Sequence, residues 1–132
     1  MKLHMAAVLI LASLTSIAFA QDWYHDRDER FRGDQWRPHV CSHIREDLEH
    51  IRSARYASEK ENARLARTRE ELAKMQADLE QGRFDNGLVN DVIDSLRKSA
   101  NDDRLSPRDR DVLADDANRL HEYQRNHNNW PH

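Results

Sequence analysis

Glycine is scarce in this chain, with three residues in 132, and so are proline, with three, and cysteine, with one. Three glycines leave no phosphate-cradling loop and no dinucleotide fingerprint, since both need clustered glycines where backbone approaches a phosphate. A lone cysteine closes no internal disulfide, so side-chain packing has to hold the fold. Basic charge is not in excess either: 21 Lys and Arg stand against 24 Asp and Glu, a net charge of −3. No concentrated basic surface is available for phosphates, which excludes a nucleic-acid binder, and no polybasic run suits an anionic membrane. Beyond the first twenty residues there is no long apolar run.

Those twenty residues, "MKLHMAAVLILASLTSIAFA", combine Lys2, an apolar stretch over 5–17, and Ala18 and Ala20 flanking Phe19. This is the pattern of a secretory signal with an A-x-A cleavage site. A spanning helix needs about 20 apolar residues, and this run is shorter and is followed at once by "QDWYHDRDER". The expectation is a signal peptide over 1–20, a secreted, periplasmic protein, and no membrane span after cleavage. Removing the segment takes away Lys2 alone among the charged side chains, so the mature charge moves from −3 to −4.

The remaining chain divides by composition. Residues 21–37 mix charge with isolated aromatics and show no apolar period, which predicts a disordered arm. A helical domain is expected over 38–125 and a flexible tail over 126–132. Neither glycine nor proline occurs between Pro38 and Gly82, while Ala, Arg, Glu, Leu and Lys abound. The reading is one long helix over about 38–81, with Pro38 in its first turn and Gly82 just past its end. Ile44, Ile51, Ser58, Leu65, Leu72 and Leu79 recur every seven residues, a partial coiled-coil pattern. The second seam is poor, because Leu48 is followed at the same step by Arg55, Asn62, Arg69 and Gln76. Residues 52–64 offer Tyr56 as their only large apolar side chain, so this middle stretch is expected in water.

Two shorter helices follow. Over about 86–99, Phe84, Leu88, Val89, Val92, Ile93 and Leu96 fall at helical spacing, with Asp85 or Asn86 to cap the start. Over about 107–124, Ser106 caps, Pro107 takes the first helical position, and Val112, Leu113, Ala117, Leu120 and Tyr123 form the buried stripe. The fold class is therefore all-α: a long helix plus a short hairpin packed on its C-terminal half. Such a hairpin would leave Ile44, Leu48 and Ile51 without an internal partner, which points to a homodimer or an envelope protein partner at that end.

Chemistry-bearing residues concentrate in "RPHVCSHIREDLEH", residues 37–50. On a helix, His39, His43, Glu46 and His50 fall on one stripe, and imidazole and carboxylate are ligands for zinc or copper. His39 and His50 lie about 16 Å apart along the axis, so one ion could take only a neighbouring pair. A solvated polar face is the competing and commoner explanation. Cys41 is either paired with another chain in an oxidising compartment or buried as a small hydrophobe; no orienting group or oxyanion-forming turn marks it as a nucleophile. "SANDDRLSPRD" fails as a calcium loop, since Asp103 would stand where glycine must turn the chain. Trp23, Tyr24, Trp36, Tyr123 and Trp130 lie near the mature ends or on the arm, where they could dock a partner or cover open edges of the helices.

In outline, a signal segment followed by a charged, mainly helical chain resembles the small periplasmic helical-hairpin proteins of envelope stress and metal sensing. Their "LTxxQ" motif is absent, and "LSPRD" at 105–109 shares only a hydroxyl-bearing helix start, so no residue role carries over. The functional expectation is an exported, non-enzymatic helical protein acting by self-association or by binding an envelope partner. The alternatives are a metal-binding protein using the His/Glu stripe and a chaperone-like client binder. No cofactor is expected beyond zinc or copper at that stripe.

Overall fold

The computed structural model describes residues 23–53 and 59–127. Residues 1–20, expected to be a signal peptide, and Ser58, Tyr56 and Trp130 lie outside the described residues. The described chain is all-α, with no strand among the described residues. It falls into two compact units, one ending at Trp36 and the other beginning at Arg37.

In the first unit, residues 23–30 are helical (α1), and Phe31 and Arg32 donate backbone bonds to Asp28 and Glu29, both at 3.2 Å, to close its end. Gly33 follows at φ +69°, a left-handed position that suits a residue without Cβ. An irregular arm was expected here, and the helix replaces it over 23–30. Its rings pack on one another and on arginines: Phe31 lies 6.0 Å from Trp36, Arg27 lies 4.3 Å over Phe31 and Arg30 lies 5.8 Å over Trp23. Offsets of four and seven residues are helical ones, and guanidinium on an aromatic face supplies packing that an apolar count misses.

The second unit is a ring of four helices: α2 (Val40–Ser53), α3 (Glu59–Glu80), α4 (Asn86–Ala100) and α5 (Pro107–Asn126). A 3-10 turn over Arg37–His39 leads into α2 and accommodates Pro38, whose missing N–H costs nothing there. Each helix packs on the next in sequence, and α5 closes the ring against α2. The expected long helix over 38–81 is thus two helices folded against each other. Their antiparallel register is explicit: Ser42 bonds Gln76 and Glu49 pairs with Arg69, so as the α2 number rises by seven the α3 number falls by seven. The hairpin over 86–126 consequently covers both α2 and α3, not the C-terminal half of a single rod.

Burial explains why the fold-back wins. Continued as a rod, the chain would leave Ile44, Leu48 and Ile51 in water; folded back, all three are fully buried, together with Leu65, Leu72 and Met75 of α3. Each such side chain removed from water contributes about 1.5–3 kcal/mol. The seven-residue spacing survives as two stripes, Ile44 and Ile51 on α2 and Leu65, Leu72 and Leu79 on α3, and does not need a continuous supercoil.

The remaining boundaries follow local chemistry. Gly82 at φ +74° ends α3, its N–H donating to Leu79 O at 3.0 Å while Arg83 N–H donates to Asp78 O at 2.8 Å, a Schellman closure. Asp85 caps α4 by accepting from Leu88 N–H at 3.1 Å, and Ser106 caps α5 by accepting from Asp109 N–H at 3.2 Å, with Pro107 in the first position. All five expected stripe residues of α5 are buried. The helix runs to Asn126, so residue 126 belongs to α5 rather than to the expected tail, and residues 128–132 lie outside the described residues. Arg104, between α4 and α5, reaches 3.2 Å to buried Glu61 at the start of α3, tying that end of the ring. Among the described residues no helix is long and apolar enough to cross a membrane.

Candidate functional site

The antiparallel ring brings three helix ends together: the start of α2, the end of α3 and the end of α5. Between them lies a cleft of about 400 Å³. Its wall is mostly apolar, built from Pro38, Val40 and Cys41 of the α2 entry, Leu79 of α3 and Tyr123 of α5. Its mouth carries Arg37, His39, Glu80 and His127. Clefts of this size and make-up are where small groups of a ligand or partner are held.

Arg37 faces two carboxylates at the mouth, Glu80 and Glu122. Arg37 pairs with Glu122 at 3.0 Å, joining the entry of α2 to the end of α5. His127 lies parallel to Phe84, with ring centroids 3.8 Å apart and an 11° interplanar angle, and its Nδ1 donates to Gln124 O at 3.1 Å. Gln76 stands in the wall, accepting from Ser42 Oγ at 3.5 Å and donating to Glu80 Oε1 at 3.4 Å. Deeper in, burial pushes the Cys41 thiol up to about 12, only partly offset by Arg45. Tyr123 is also raised, by burial first and by Cys41 second. Both groups therefore stay protonated at neutral pH, and a thiolate nucleophile is not on offer.

The sequence candidates distribute as follows. His39 belongs to the 3-10 turn and is exposed at the cleft mouth, and its ring meets that of His43 edge-on with centroids 6.0 Å apart. Glu46 is exposed and His50 is half-buried further along α2. Among the described residues no three His, Cys, Asp or Glu side chains gather in a metal-binding geometry. Ile44, Leu48 and Ile51, expected as a free interface, are instead fully buried, because α2 packs against α3 and α5. Cys41 is buried and free, in line with the small-hydrophobe alternative. Of the aromatics, Trp36 is buried, Trp23 and Tyr24 touch edge-on at 5.1 Å, and Tyr123 lines the cleft.

A second groove, between α3 and α4, is lined by Glu71, Lys74, Asp91, Asp94 and Lys98. Glu71 is raised there by burial and by Asp91, against Arg67. It carries three acids and two lysines and has little apolar wall.

Sequence reasoning missed the cleft because its walls come from three places far apart in the chain, and only the fold-back joins them. Leu79 and Tyr123 were visible as the last members of their stripes. The signal that would have revealed the rest is "SEKE" at 58–61, a hydroxyl residue followed three places later by an acid, the spacing of a capping box that starts a new helix. Comparison with protein-family models, curated proteins and solved structures gave no match.

Proposed function

We propose that this chain is an exported, non-catalytic binding protein of the cell envelope, periplasmic in location, that engages a partner through the cleft at the end of its helical ring. The observation that carries the reading is the cleft itself, with its apolar wall and polar mouth. Export is supported by the signal-like residues 1–20. A non-catalytic role is supported by the protonated state of Cys41 and Tyr123, which removes the strongest nucleophile candidate. Self-association through Ile44, Leu48 and Ile51 loses its support, since these side chains are buried within the chain. The metal reading keeps one supporting observation, the His39 and His43 rings 6.0 Å apart, and zinc titration followed by the His43 ring resonances tests it.

The test of the main reading is fractionation of expressing cells combined with a photo-crosslinking side chain at position 39 or, as a control, at exposed Lys60 near the opposite end of α3. The expected result is a mature chain starting at Gln21 outside the cytoplasm and a discrete adduct from position 39 alone. Cytoplasmic retention of the intact chain, or equal adducts from both positions, would sink the reading.

A further inference from the structure

The mouth of the cleft carries more negative charge than positive. Arg37 is committed to Glu122 at 3.0 Å. Glu80, exposed at the same mouth, has no cationic partner among the described residues: its carboxylate accepts from Gln76 Nε2 at 3.4 Å, and Arg83, the nearest basic residue in sequence, pairs instead with Asp78 at 3.1 Å. With the imidazoles neutral, two carboxylates stand against one guanidinium. Arg45, whose charge reaches Cys41, does not line the cleft. An anion would meet the excess of carboxylate and could reach Arg37 only by displacing Glu122, whereas a cation meets a carboxylate that nothing neutralises.

Burial sets the order of these groups along the cleft. Val40, Cys41 and Tyr123 are buried, while Glu80 and Glu122 are exposed, so the apolar wall lies inside and the acids outside. A fitting ligand is therefore apolar where it enters and positively charged where it stops. An ammonium left at the mouth keeps most of its water and avoids the large cost of burying an ion. The lysine side chain of another protein has the opposite order, since its ammonium is the tip and would lead into the apolar wall. A free amine on an apolar tail has the order required. The cleft of about 400 Å³ equals the liquid volume of roughly thirteen waters, which suits a tail of about ten carbons.

Resting on the binding reading above, we propose that the occupant of the cleft is a small amphipathic amine, a protonated ammonium carried on an apolar tail. The tail lies against Val40, Leu79 and Tyr123, and the ammonium stays at the mouth with Glu80 as its counter-charge.

The test is amide-resolved NMR titration of the mature chain at pH 8 with three probes that share one tail, 4-phenylbutylammonium, 4-phenylbutan-1-ol and 4-phenylbutanoate, and with N-acetyl-lysine methylamide for the lysine source. The expected result is saturable shifts at Val40, Cys41, Leu79 and Tyr123, with the ammonium binding about threefold more tightly than the alcohol and about tenfold more tightly than the carboxylate, the scale of one exposed ion pair gained or one like charge faced. Blocked lysine should bind at least tenfold more weakly than phenylbutylammonium. Glu80→Gln should bring the ratio of ammonium to alcohol affinity down to about one, whereas Glu70→Gln, which removes the same charge from an exposed site about 15 Å back along α3, should keep it near three. Equal affinity for ammonium and alcohol, a ratio that survives Glu80→Gln or is lost in Glu70→Gln, or blocked lysine binding as tightly as phenylbutylammonium overturns the proposal. If the probes fail while the adduct at position 39 still forms in cells, this inference falls and the binding reading stands; loss of both removes the reading as well.

Discussion

Leu48→Ala tests the fold-back of α2 most directly. Leu48 is fully buried between helices, so truncation removes three carbons from a packed interior and leaves a cavity that neighbours fill only in part. The expected loss is about 3 kcal/mol, within the usual range of about 2–5 for buried leucine. For the unit beginning at Arg37, that corresponds to a fall in Tm of roughly 12–24 °C, at about 4–8 °C per kcal/mol for a domain of this size. If residues 38–81 were instead a single rod, Leu48 would face water and alanine would be neutral or slightly favourable through its higher helix propensity. The assay is urea denaturation followed by circular dichroism at 222 nm, with exposed Lys60→Ala as a control expected within about 0.5 kcal/mol of the parent. A loss for Leu48→Ala below about 1 kcal/mol would refute the packing of α2 on α3 and α5.

The same geometry predicts a short distance between spin labels at positions 42 and 76 in a Cys41→Ala background, where a continuous helix would separate 34 residues by about 51 Å; a distance beyond about 40 Å contradicts the hairpin. Gly82→Ala places a Cβ in open space but at φ +74°, so only backbone strain opposes it, and equilibrium unfolding should register a loss of about 1–2 kcal/mol. Cys41 should resist iodoacetamide at pH 8 in the native state and react in denaturant. Because its native value of about 12 lies above the ordinary 9.0, the folded state keeps a proton that the unfolded state releases, so stability should fall as pH rises from about 9 to 12. Cys41→Ala should flatten that decline, and an unaltered pH profile would show that the thiol is not buried as described. The Glu49 and Arg69 pair is largely exposed at 58% and 36%, and Glu49→Gln should change stability by no more than about 0.5 kcal/mol, with the difference vanishing in high salt.

The two C-terminal helices were legible in the sequence nearly to the residue, because Asp85, Ser106, Pro107 and Gly82 are local punctuation with local causes. The interruption after Ser53 was not legible from glycine or proline, since the chain there has neither. Helix propensity runs high on both sides, and only the thin apolar content of 52–64 and the "SEKE" spacing mark it. The first unit escaped for a different reason. Its order rests on Arg27 and Arg30 lying over rings, and arginine counts as solvated charge in any apolar pattern. Of the stretch at 37–50, His39 and Cys41 border the cleft, while Gln76, Leu79 and Tyr123, which complete it, could be assigned only after the helices were placed.

The order of helices around the ring has a kinetic consequence. Three of its four packed pairs join neighbours in sequence, and such contacts form early because little chain entropy is lost in closing them. The pairing of α5 with α2 is the one long closure, and the cleft lies at its end, where Arg37 meets Glu122. Two hairpins can thus be complete while the cleft does not yet exist. Whatever occupies it binds the finished ring alone, and by mass action holds shut the seam that closes last.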